Sequence, residues 1–172
     1  FCERDYVLKE GDKVLFIPPV SGGQKMDFQI SALPLTSEIF KNELQNPACG
    51  GFVCFEGWVR DFNENKVVTH LEYQAYPELA RREALKIMEE AKLKFGIKNA
   101  KCVHRVGDLK IGEIAVWVGV IGVHRGEAFK ACEYIIDELK VRVPVWKKEH
   151  YQSGDSGWVE CHECKKHEHH SH

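Results

Sequence analysis

The order of apolar and polar residues along the chain predicts strands that alternate with helices. The longest apolar run covers residues 114–123, is rich in β-branched residues and has the character of a buried strand. After it, apolar residues recur at helical spacing, at Ala128, Phe129, Ala131, Cys132, Ile135, Ile136 and Leu139. Because Pro144 cannot continue a helix and disfavours helical backbone at Val143, we expect this helix to cover about 127–141.

A second helix is predicted over 77–95, because Pro77 suits a first helical position and Gly96 suits a helix end. Its expected buried stripe consists of Leu79, Ala80, Ala84, Ile87, Met88, Ala91, Leu93 and Phe95. A shorter helix is predicted over 37–45, with Ile39, Phe40 and Leu44 facing the core. Strands are predicted over 27–30, 52–59, 67–73, 100–106 and 158–160, with loops over 61–65 and 107–113. We therefore expect an α+β protein, mainly antiparallel sheet with the two longer helices packed on it.

Composition limits the functional classes. The 172 residues suffice for one core of ordinary domain size, and 44% hydrophobic with 29% charged residues is typical of a soluble globular protein. The net charge of −2 gives no general argument for binding nucleic acid or an anionic membrane. The sequence contains no 18-residue apolar run and no signal-peptide pattern. Its seven cysteines are an odd number and mostly scattered, which favours a reduced protein in the cytoplasm.

Candidate chemistry lies at both ends of the 127–141 helix. At its start, His124, Arg125 and Gly126 stand between the buried strand and the helix. The N–H groups and the positive dipole end of a helix attract anions, and Arg125 adds a cation that can bind a phosphate with two hydrogen bonds. This stretch is either an anion site or an ordinary strand-to-helix turn with solvated charges.

At the other end of this helix, Lys140, Lys147 and Lys148 surround Pro144 and Trp146. A lysine beside apolar bulk can lose proton affinity and act as a base, an acid or a nucleophile. The alternative is that these lysines only place favourable charge at a helix C-terminus.

The length of this helix restricts how its two ends can cooperate. Fifteen positions separate Arg125 from Lys140, which is about 22 Å at ~1.5 Å per helical residue. One helix therefore cannot bring both ends into one small-ligand pocket. If both ends serve one substrate, two copies of the chain must contribute, most simply as a two-fold dimer.

Residues 1–23 have the pattern of a different structure. Residues 7–17 are hairpin-like and the Pro- and Gly-rich segment 18–23 follows, which is too little chain to bury a core. The segment GDKVLFIPPVSGG, residues 11–23, resembles the C-terminal end of the small, ubiquitin-like subunit of molybdopterin synthase. In that family the last glycine carries a thiocarboxylate that donates sulfur. Here Gln24 follows Gly22 and Gly23, and a peptide-bonded glycine has no free carboxylate to thiolate.

Residues 28–160 resemble the large, catalytic subunit of the same family. The motifs that carry the resemblance are FEGWVR at 55–60, LEYQAY at 71–76, HRVG at 104–107, HRGEAF at 124–129 and LKVRVPVWKKE at 139–149. The chain thus resembles a fusion, with a sulfur-carrier tail at 1–23, a linker at 24–27, a catalytic domain at 28–160 and a polar, His-rich tail at 161–172. The resemblance implies an α/β-hammerhead-like fold preceded by a C-terminal fragment of a β-grasp domain. Because the chain begins with Phe1 rather than Met, we expect that its natural beginning is missing.

The function implied by the resemblance is sulfur transfer in molybdenum cofactor biosynthesis. The family inserts two sulfurs from a thiocarboxylated Gly-Gly tail into cyclic pyranopterin monophosphate and makes the dithiolene of molybdopterin. Such an anionic substrate requires arginines and N–H groups, and the reaction requires a proton donor and acceptor near neutral pH. The implied partners are this substrate, a small sulfur-carrier subunit in cis or in trans, and a second copy of the chain with shared active sites. The resemblance implies no cofactor and no metal.

The resemblance also implies roles for single residues. Lys140 is expected to be the principal catalytic lysine, either binding the acyl end of the carrier or acting as acid and base, and Lys147 is expected to be the second. Expected contacts to the substrate or to the carrier's terminal carboxylate are Trp58, Val59, Arg60, Lys148 and Glu149. His124 and Arg125 resemble pterin or phosphate binders that reach the pocket from the second large subunit. Phe55 and Ile136 are expected either to form pocket walls or to be plain core.

The His104–Arg105 pair and the segment 161–172 each have two interpretations. His104 and Arg105 form either another anion contact or a buried, hydrogen-bonded pair that supports the sheet. The family's arginine after its terminal Trp-Val-Glu motif is replaced near Cys161, which puts one anion contact in doubt. Residues 161–172 contain two Cys and several His that could ligate zinc or nickel, but we expect a disordered polar tail.

The rival functions are a non-catalytic scaffold or carrier with a blocked Gly-Gly tail, and a metal-binding protein built on the Cys/His tail.

Overall fold

The computed structural model describes residues 25–160, and within them the chain forms three helices and nine strands. The helices are α1 (Ser37–Leu44), α2 (Pro77–Phe95) and α3 (Arg125–Arg142). The strands are β1 (Asp27–Ser31), β2 (Gly51–Trp58), β3 (Phe62–Asn63), β4 (Lys66–Ala75), β5 (Asn99–Arg105), β6 (Gly107–Lys110), β7 (Ile114–Gly122), β8 (Val145–Tyr151) and β9 (Ser156–Glu160). The predicted α+β fold class is confirmed.

The first sheet has the order β1-β5-β7-β2 and is enclosed by helices on both faces. β1 runs parallel to β5, and the other neighbours are antiparallel. Side chains of β7 alternate between the two faces, as the pleat of a strand requires. Trp117 faces α1, where its Nε1 donates to Ser37 Oγ at 2.8 Å, and Val118 lies in the core with α2 and α3. Enclosure on both faces explains why β7 is a continuous apolar run.

The second sheet has the order β3-β4-β8-β9. β6 pairs with the edge of β4 that lies opposite β8. All of its strand pairs are antiparallel. It lies beside the C-terminal end of α3, because β8 follows α3 after two residues. This connection carries the chain from the buried core into the region of the candidate site.

The two long helices pack on the same face of the first sheet and against each other. α2 buries Ala80, Ala84, Ile87, Met88 and Ala91, and α3 buries Ala128, Ala131, Cys132, Ile135, Ile136 and Leu139. The alanines allow close approach of the two helices, and each fully buried Ile or Met side chain contributes about 1.5–3 kcal/mol relative to exposure. Within residues 25–160, no helix is long and apolar enough to cross a membrane.

Several predicted boundaries are confirmed. α2 has the predicted bounds, and Gly96 ends it in the left-handed conformation with a φ of 73°. α3 begins at Arg125, two residues before the predicted start, and ends at Arg142, one residue after the predicted end. Val143 is extended, with a φ of −84° and a ψ of 128°, as the following proline requires.

Three expected core residues are exposed instead: Leu93 by 87%, Phe129 by 61% and Ile39 by 56%. Leu93 lies two positions after buried Ala91, which is about 200° around the helix at 3.6 residues per turn, and Phe129 is about 100° around from Ala128. The apolar character of these residues was therefore misleading, because their helical phase points them to solvent.

Part of the second sheet was not predicted. β6 lies within the predicted loop 107–113, and β3 lies within the predicted turn 61–65. β8 was not predicted either, because it contains the charged run Lys147, Lys148 and Glu149. A strand with charged residues on its inner face lacks the apolar alternation that identifies strands in a sequence.

The predictions for both chain termini concern residues outside 25–160. They are the Gly22 and Gly23 carrier tail with its β-grasp fragment, the start of the 24–27 linker and the polar tail at 161–172. They stay predictions.

Candidate active site

A cavity of about 460 Å³ lies where the end of the β2–β7 pair meets β4 and β8. Its volume is in the range of small-molecule sites. The apolar part of its lining consists of Phe55, Phe62, Val68, Leu71, Ala115 and Val116. Gly57 is needed in this wall, because an added Cβ would lie 2.7 Å from Val116 Cγ1.

Two lysines from different elements line this cavity. Lys140 lies in the last turn of α3 and is exposed, whereas Lys147 lies on β8 with only 11% of its side chain exposed. The break at Pro144 turns the chain from α3 into β8, so that residues seven positions apart return to one cavity. The structure thus brings together the two residues that were predicted to be catalytic.

Glu149 is a buried carboxylate beside Lys147. Its side chain is 2% exposed, and Lys147 Nζ lies 3.1 Å from Glu149 Oε1. Asn63 Nδ2 donates to both carboxylate oxygens at 3.0 and 2.9 Å, and the Tyr151 hydroxyl donates to Oε2 at 2.6 Å. Burial by itself raises the pKa of Glu149, but the hydrogen bonds from Tyr151, Asn63 and Lys147 outweigh it and leave the pKa below its ordinary value. The hydrogen bond from the Tyr151 hydroxyl to Glu149 raises the pKa of Tyr151 to about 12, because this bond is lost when the phenol ionises.

The end of β2 presents Trp58 and Arg60 to the cavity but not Val59. Pairing with β7 shifts register between Gly57 and Trp58, and such an irregularity re-aims the side chains that follow. Arg60 is exposed, lines the cavity and donates from Nη2 to Asn63 Oδ1 at 3.3 Å. Trp58 is 65% exposed and donates from Nε1 to Glu56 Oε2 at 2.9 Å. Val59 is 2% exposed and belongs to the core, which places its side chain away from the predicted substrate contact.

Lys148 points away from the cavity. Successive residues of a strand face opposite sides of the sheet, so Lys147 and Glu149 share the inner face while Lys148 lies on the outer one. There its Nζ lies 5.6 Å from the ring centroid of Trp158 on β9. Within this chain, Lys148 is therefore not brought into the predicted site.

His124 and Arg125 lie at the opposite end of α3 and do not line the cavity of their own chain. Both residues are exposed. The backbone of Gly51 packs against this turn so closely that a Cβ at Gly51 would lie 3.1 Å from the Arg125 nitrogen. Because α3 is one continuous helix, the predicted separation of Arg125 from Lys140 within one chain is confirmed.

A second, mainly apolar cavity of about 80 Å³ lies behind Lys140, which borders both cavities. Ile136 and His104 line this smaller cavity, whereas Phe55 lines the larger one. Burial lowers the pKa of His104 to about 4, since the charged imidazolium loses its hydration. The His104 ring is therefore neutral at pH 7, and its Nδ1 lies 2.7 Å from the Arg105 carbonyl oxygen.

Arg105 is 5% exposed, and its guanidinium lies 3.4 Å from both Glu113 Oε1 and the Asp108 carbonyl oxygen. The structure thus agrees with the second alternative for the His104–Arg105 pair, a buried support of the sheet.

Two residues of the site were missed from the sequence, Asn63 and Tyr151. Asn63 was part of a predicted polar turn, and nothing in its sequence neighbourhood indicates Glu149 as a partner. Tyr151 carried a weak signal, because period-2 alternation from Lys147 through Glu149 reaches it once β8 is recognised as a strand.

Residues 30–142 match the family model described as MoaE protein, which is more than half of the chain. The chain belongs to the MoaE family. It is 38% identical over 144 residues to the molybdopterin synthase catalytic subunit of Synechococcus elongatus, with 83% of this chain and 87% of the relative covered. The crystal structure of molybdopterin synthase from Staphylococcus aureus superposes with a TM-score of 0.72 at 34% identity, covering 81% of this chain and 98% of that chain.

A further structural neighbour is a complex of subunits 1 and 2 of molybdopterin-converting factor from Helicobacter pylori. It superposes with a TM-score of 0.61, covering 83% of this chain and 92% of that chain. Because the identity is 23%, this likeness shows the fold alone.

The MoaE matches confirm the predicted resemblance to the catalytic subunit and the predicted enzyme, a molybdopterin synthase of molybdenum cofactor biosynthesis. The motifs at 55–60, 71–76, 104–107 and 124–129 all fall within the matched residues. The fusion with a sulfur-carrier tail and the roles of single residues stay predictions.

Proposed function

We propose that the 460 Å³ cavity is the place where sulfur passes from a thiocarboxylated glycine tail to cyclic pyranopterin monophosphate. The observation that carries this proposal is the convergence of Lys140 and Lys147, from α3 and β8, on one cavity that also contains Arg60. Two amines and a guanidinium at one partly apolar cavity suit an anionic, ring-containing substrate.

The chemistry divides among these groups. Arg60 binds an anionic group, either of the substrate or of the carrier tail, and the apolar wall around Phe55 and Val116 contacts the pterin ring. Lys140 and Lys147 engage the acyl end of the carrier. Each new carbon–sulfur bond replaces a carbon–oxygen bond of the substrate, and a lysine supplies the proton with which that oxygen leaves. Each transfer breaks the acyl–sulfur bond of the tail, and water then supplies the oxygen that restores an ordinary glycine carboxylate.

His124 and Arg125 enter this proposal through a second copy of the chain. The two residues are exposed and lie one helix length from the Lys140 end of α3. A two-fold dimer would let Arg125 of one copy complete the cavity of the other. The phosphate of the substrate would then meet a cation and helix N–H groups that its own chain does not supply there.

The sulfur donor is either the Gly22–Gly23 tail of this chain or a separate small subunit. A glycine followed by Gln24 must be released before it can carry a thiocarboxylate. The Synechococcus elongatus relative is named a catalytic subunit, which implies a further subunit and supports a carrier in trans. Mass spectrometry of the protein from its native cell should show cleavage after Gly23, or an added small subunit should restore conversion. If neither is found, the scaffold hypothesis is favoured.

Four cysteines among residues 25–160 are free thiols, Cys49, Cys54, Cys102 and Cys132. Burial raises the pKa of Cys132 to about 12, and burial likewise raises the pKa of Cys102. Thiols with raised pKa values are poor nucleophiles and behave as small apolar residues. Free thiols within the described residues suit a reducing compartment, and on this ground we propose a cytoplasmic location.

Replacing Lys140 with Ala tests the proposed function. We expect conversion of cyclic pyranopterin monophosphate to fall by about 10²–10⁴-fold, the range for loss of a proton-transfer group, while the fold is kept. Lys130→Ala is the matched control, because Lys130 is an exposed lysine on the same helix outside the cavity. Full turnover by Lys140→Ala, or equal losses in both variants, would remove Lys140 from this role.

A further inference from the structure

The buried carboxylate of Glu149 connects two walls of the candidate active site. Lys147 lies on one side of it, and Asn63 lies on the other, in the hairpin that follows Arg60. We propose that Asn63 and Tyr151 are positioning residues that hold Glu149, and through it the Lys147 amine, in the geometry that sulfur transfer requires. This inference rests on the proposed function, because Lys147 is the reacting group through which both residues act.

The geometry of Glu149 leaves its carboxylate fully engaged by the protein. Its two oxygens accept both bonds from Asn63 Nδ2, one from the Tyr151 hydroxyl and the contact from Lys147 Nζ. A carboxylate with only 2% of its side chain exposed and these partners has little capacity left for a substrate. Glu149 therefore acts on Lys147 rather than on the pterin, which changes the role predicted for it from the sequence.

Asn63 is held in place by its hairpin. Glu64 and Asn65 have φ values of 46° and 63°, the backbone of a tight two-residue turn between β3 and β4. That turn fixes Asn63, the residue just before it, with Nδ2 donating to Glu149 and Oδ1 accepting from Arg60. The Asn63 side-chain amide can donate to the Glu149 anion and accept from the Arg60 cation at the same time. An ionised acidic or basic side chain could satisfy only one of the two.

Tyr151 supports Glu149 from the same strand. Residues 147, 149 and 151 share the inner face of β8, so the hydroxyl of Tyr151 reaches the carboxylate two positions away. The Tyr151 ring is also covered by Lys66, whose Nζ lies 4.9 Å from the ring centroid. A short bond to a carboxylate is one of the stronger hydrogen bonds in proteins, so it restricts where Glu149 can lie.

The test compares Asn63→Ala and Tyr151→Phe in two backgrounds, the natural chain and Lys147→Ala. In the natural chain, we expect Asn63→Ala to lower kcat by up to about 100-fold, the cost of misplacing a catalytic group by roughly 1 Å. Tyr151→Phe should lower kcat by about 10-fold with little change in the substrate Kd. Asn63→Ala should also weaken substrate binding, because Asn63 Oδ1 accepts a hydrogen bond from Arg60. In the Lys147→Ala background, both changes should leave kcat where Lys147→Ala puts it, because the group that they position is absent.

Asp61→Asn and Tyr76→Phe are the matched controls. Asp61 is exposed in the same loop and bonds Val68 only through its backbone carbonyl, and Tyr76 is 60% exposed outside the cavity. Both control variants should keep the natural kcat. Equal losses in the two Lys147 backgrounds would overturn the proposal, since they would show a general structural effect.

A direct measurement separates this inference from the proposed function. The rate at which acetic anhydride acetylates Lys147, followed by mass spectrometry on the full chain, should rise several-fold in Asn63→Ala and Tyr151→Phe and stay unchanged in the controls. An unchanged rate would refute the positioning role whatever the activity shows. Full turnover by Lys147→Ala alone would instead refute the catalytic role of Lys147, even if the acetylation rate rises as expected.

Discussion

The two sheets of this protein use similar strand pairing but carry different residues on their inner faces. In the first sheet, β7 is buried along nearly its whole length and packs between helices on both sides. In the second sheet, the inner face of β8 carries Lys147 and Glu149 toward a cavity. The first sheet thus supplies most of the packing, and the second carries most of the candidate catalytic residues. Mutations in the first sheet should therefore lower mainly stability, and mutations in the second should lower mainly activity.

Lys147→Ala should have the largest effect on activity with a more moderate effect on folding. We expect turnover to fall by about 10²–10⁴-fold, because the second cavity lysine is lost. Glu149 keeps Asn63 and Tyr151 as donors but loses its cation, so the free energy of unfolding should fall by about 1.5–3 kcal/mol, the range for a hydrogen bond to a charged group. Steady-state kinetics and urea unfolding of the same preparation check both parts. A large loss of stability would mean that the second sheet is also a major part of the core.

Trp117→Ala should show the opposite behaviour. Trp117 is fully buried on the α1 side of β7, packs against the tilted ring of Phe40, stacks on Phe52, and donates to Ser37. Its removal should lower the free energy of unfolding by about 3–5 kcal/mol, while kcat per folded molecule is kept. Trp158→Ala is the control in the second sheet, because Trp158 is 51% exposed and should cost under about 1 kcal/mol. Equal costs for the two tryptophans would contradict the division between the sheets.

The pH dependence of stability should also arise in the first sheet, because His104 on β5 titrates at a different pH in the folded and unfolded chain. Its folded-state pKa is about 4, below the unfolded value of 6.5, so the unfolded chain binds a proton first as the pH falls. Stability from neutral His104 should therefore be fully present above pH 6.5 and decrease by about 3 kcal/mol as the pH falls toward 4. Urea unfolding at several pH values checks this, and His104→Gln should flatten the profile. A profile unchanged by that substitution would rule His104 out as its source.

The smallest effect should come from the ion pair between the two long helices. Arg142 Nη1 and Nη2 donate to Glu90 at 2.6 and 2.9 Å, and the Tyr134 hydroxyl donates at 2.8 Å, and these hydrogen bonds lower the pKa of Glu90 to about 2. The stabilisation that ionised Glu90 provides should be present above about pH 4.5 and be lost as the pH falls toward 2. Because Glu90 is 42% exposed, Glu90→Gln should cost no more than about 1 kcal/mol at pH 7. Thermal unfolding in low and high salt checks this, since a partly exposed pair weakens in salt.

The same contrast explains how far the sequence predicted the structure. The first sheet and its helices were predicted well, because their burial produces apolar periodicity and their ends carry Pro77, Gly96 and Pro144. The second sheet was predicted poorly, because charges on the inner face of β8 and the short strands β3 and β6 conceal the strand pattern. Local propensity and fold disagree most where the cavity is formed.

The candidate site was predicted in part for a related reason. Lys140, Lys147, Trp58 and Arg60 were named from motifs, and the structure places all of them at one cavity. Strand alternation and a register shift decide that Lys148 and Val59 point elsewhere, and this cannot be seen before the strands are known. Asn63 and Tyr151 depend on a contact to Glu149 across the site or along β8, which only the fold reveals.

Mixing two inactive variants tests the shared active site most directly. Lys140→Ala chains and Arg125→Ala chains are each expected to be nearly inactive alone, and they are then unfolded together and refolded at equal amounts. If Arg125 serves the cavity of the other copy, half of the dimers pair unlike chains and one of their two sites is intact, so about one quarter of natural activity should return. If each chain builds its site alone, every site carries a lesion, and the mixture should stay as inactive as the separate variants.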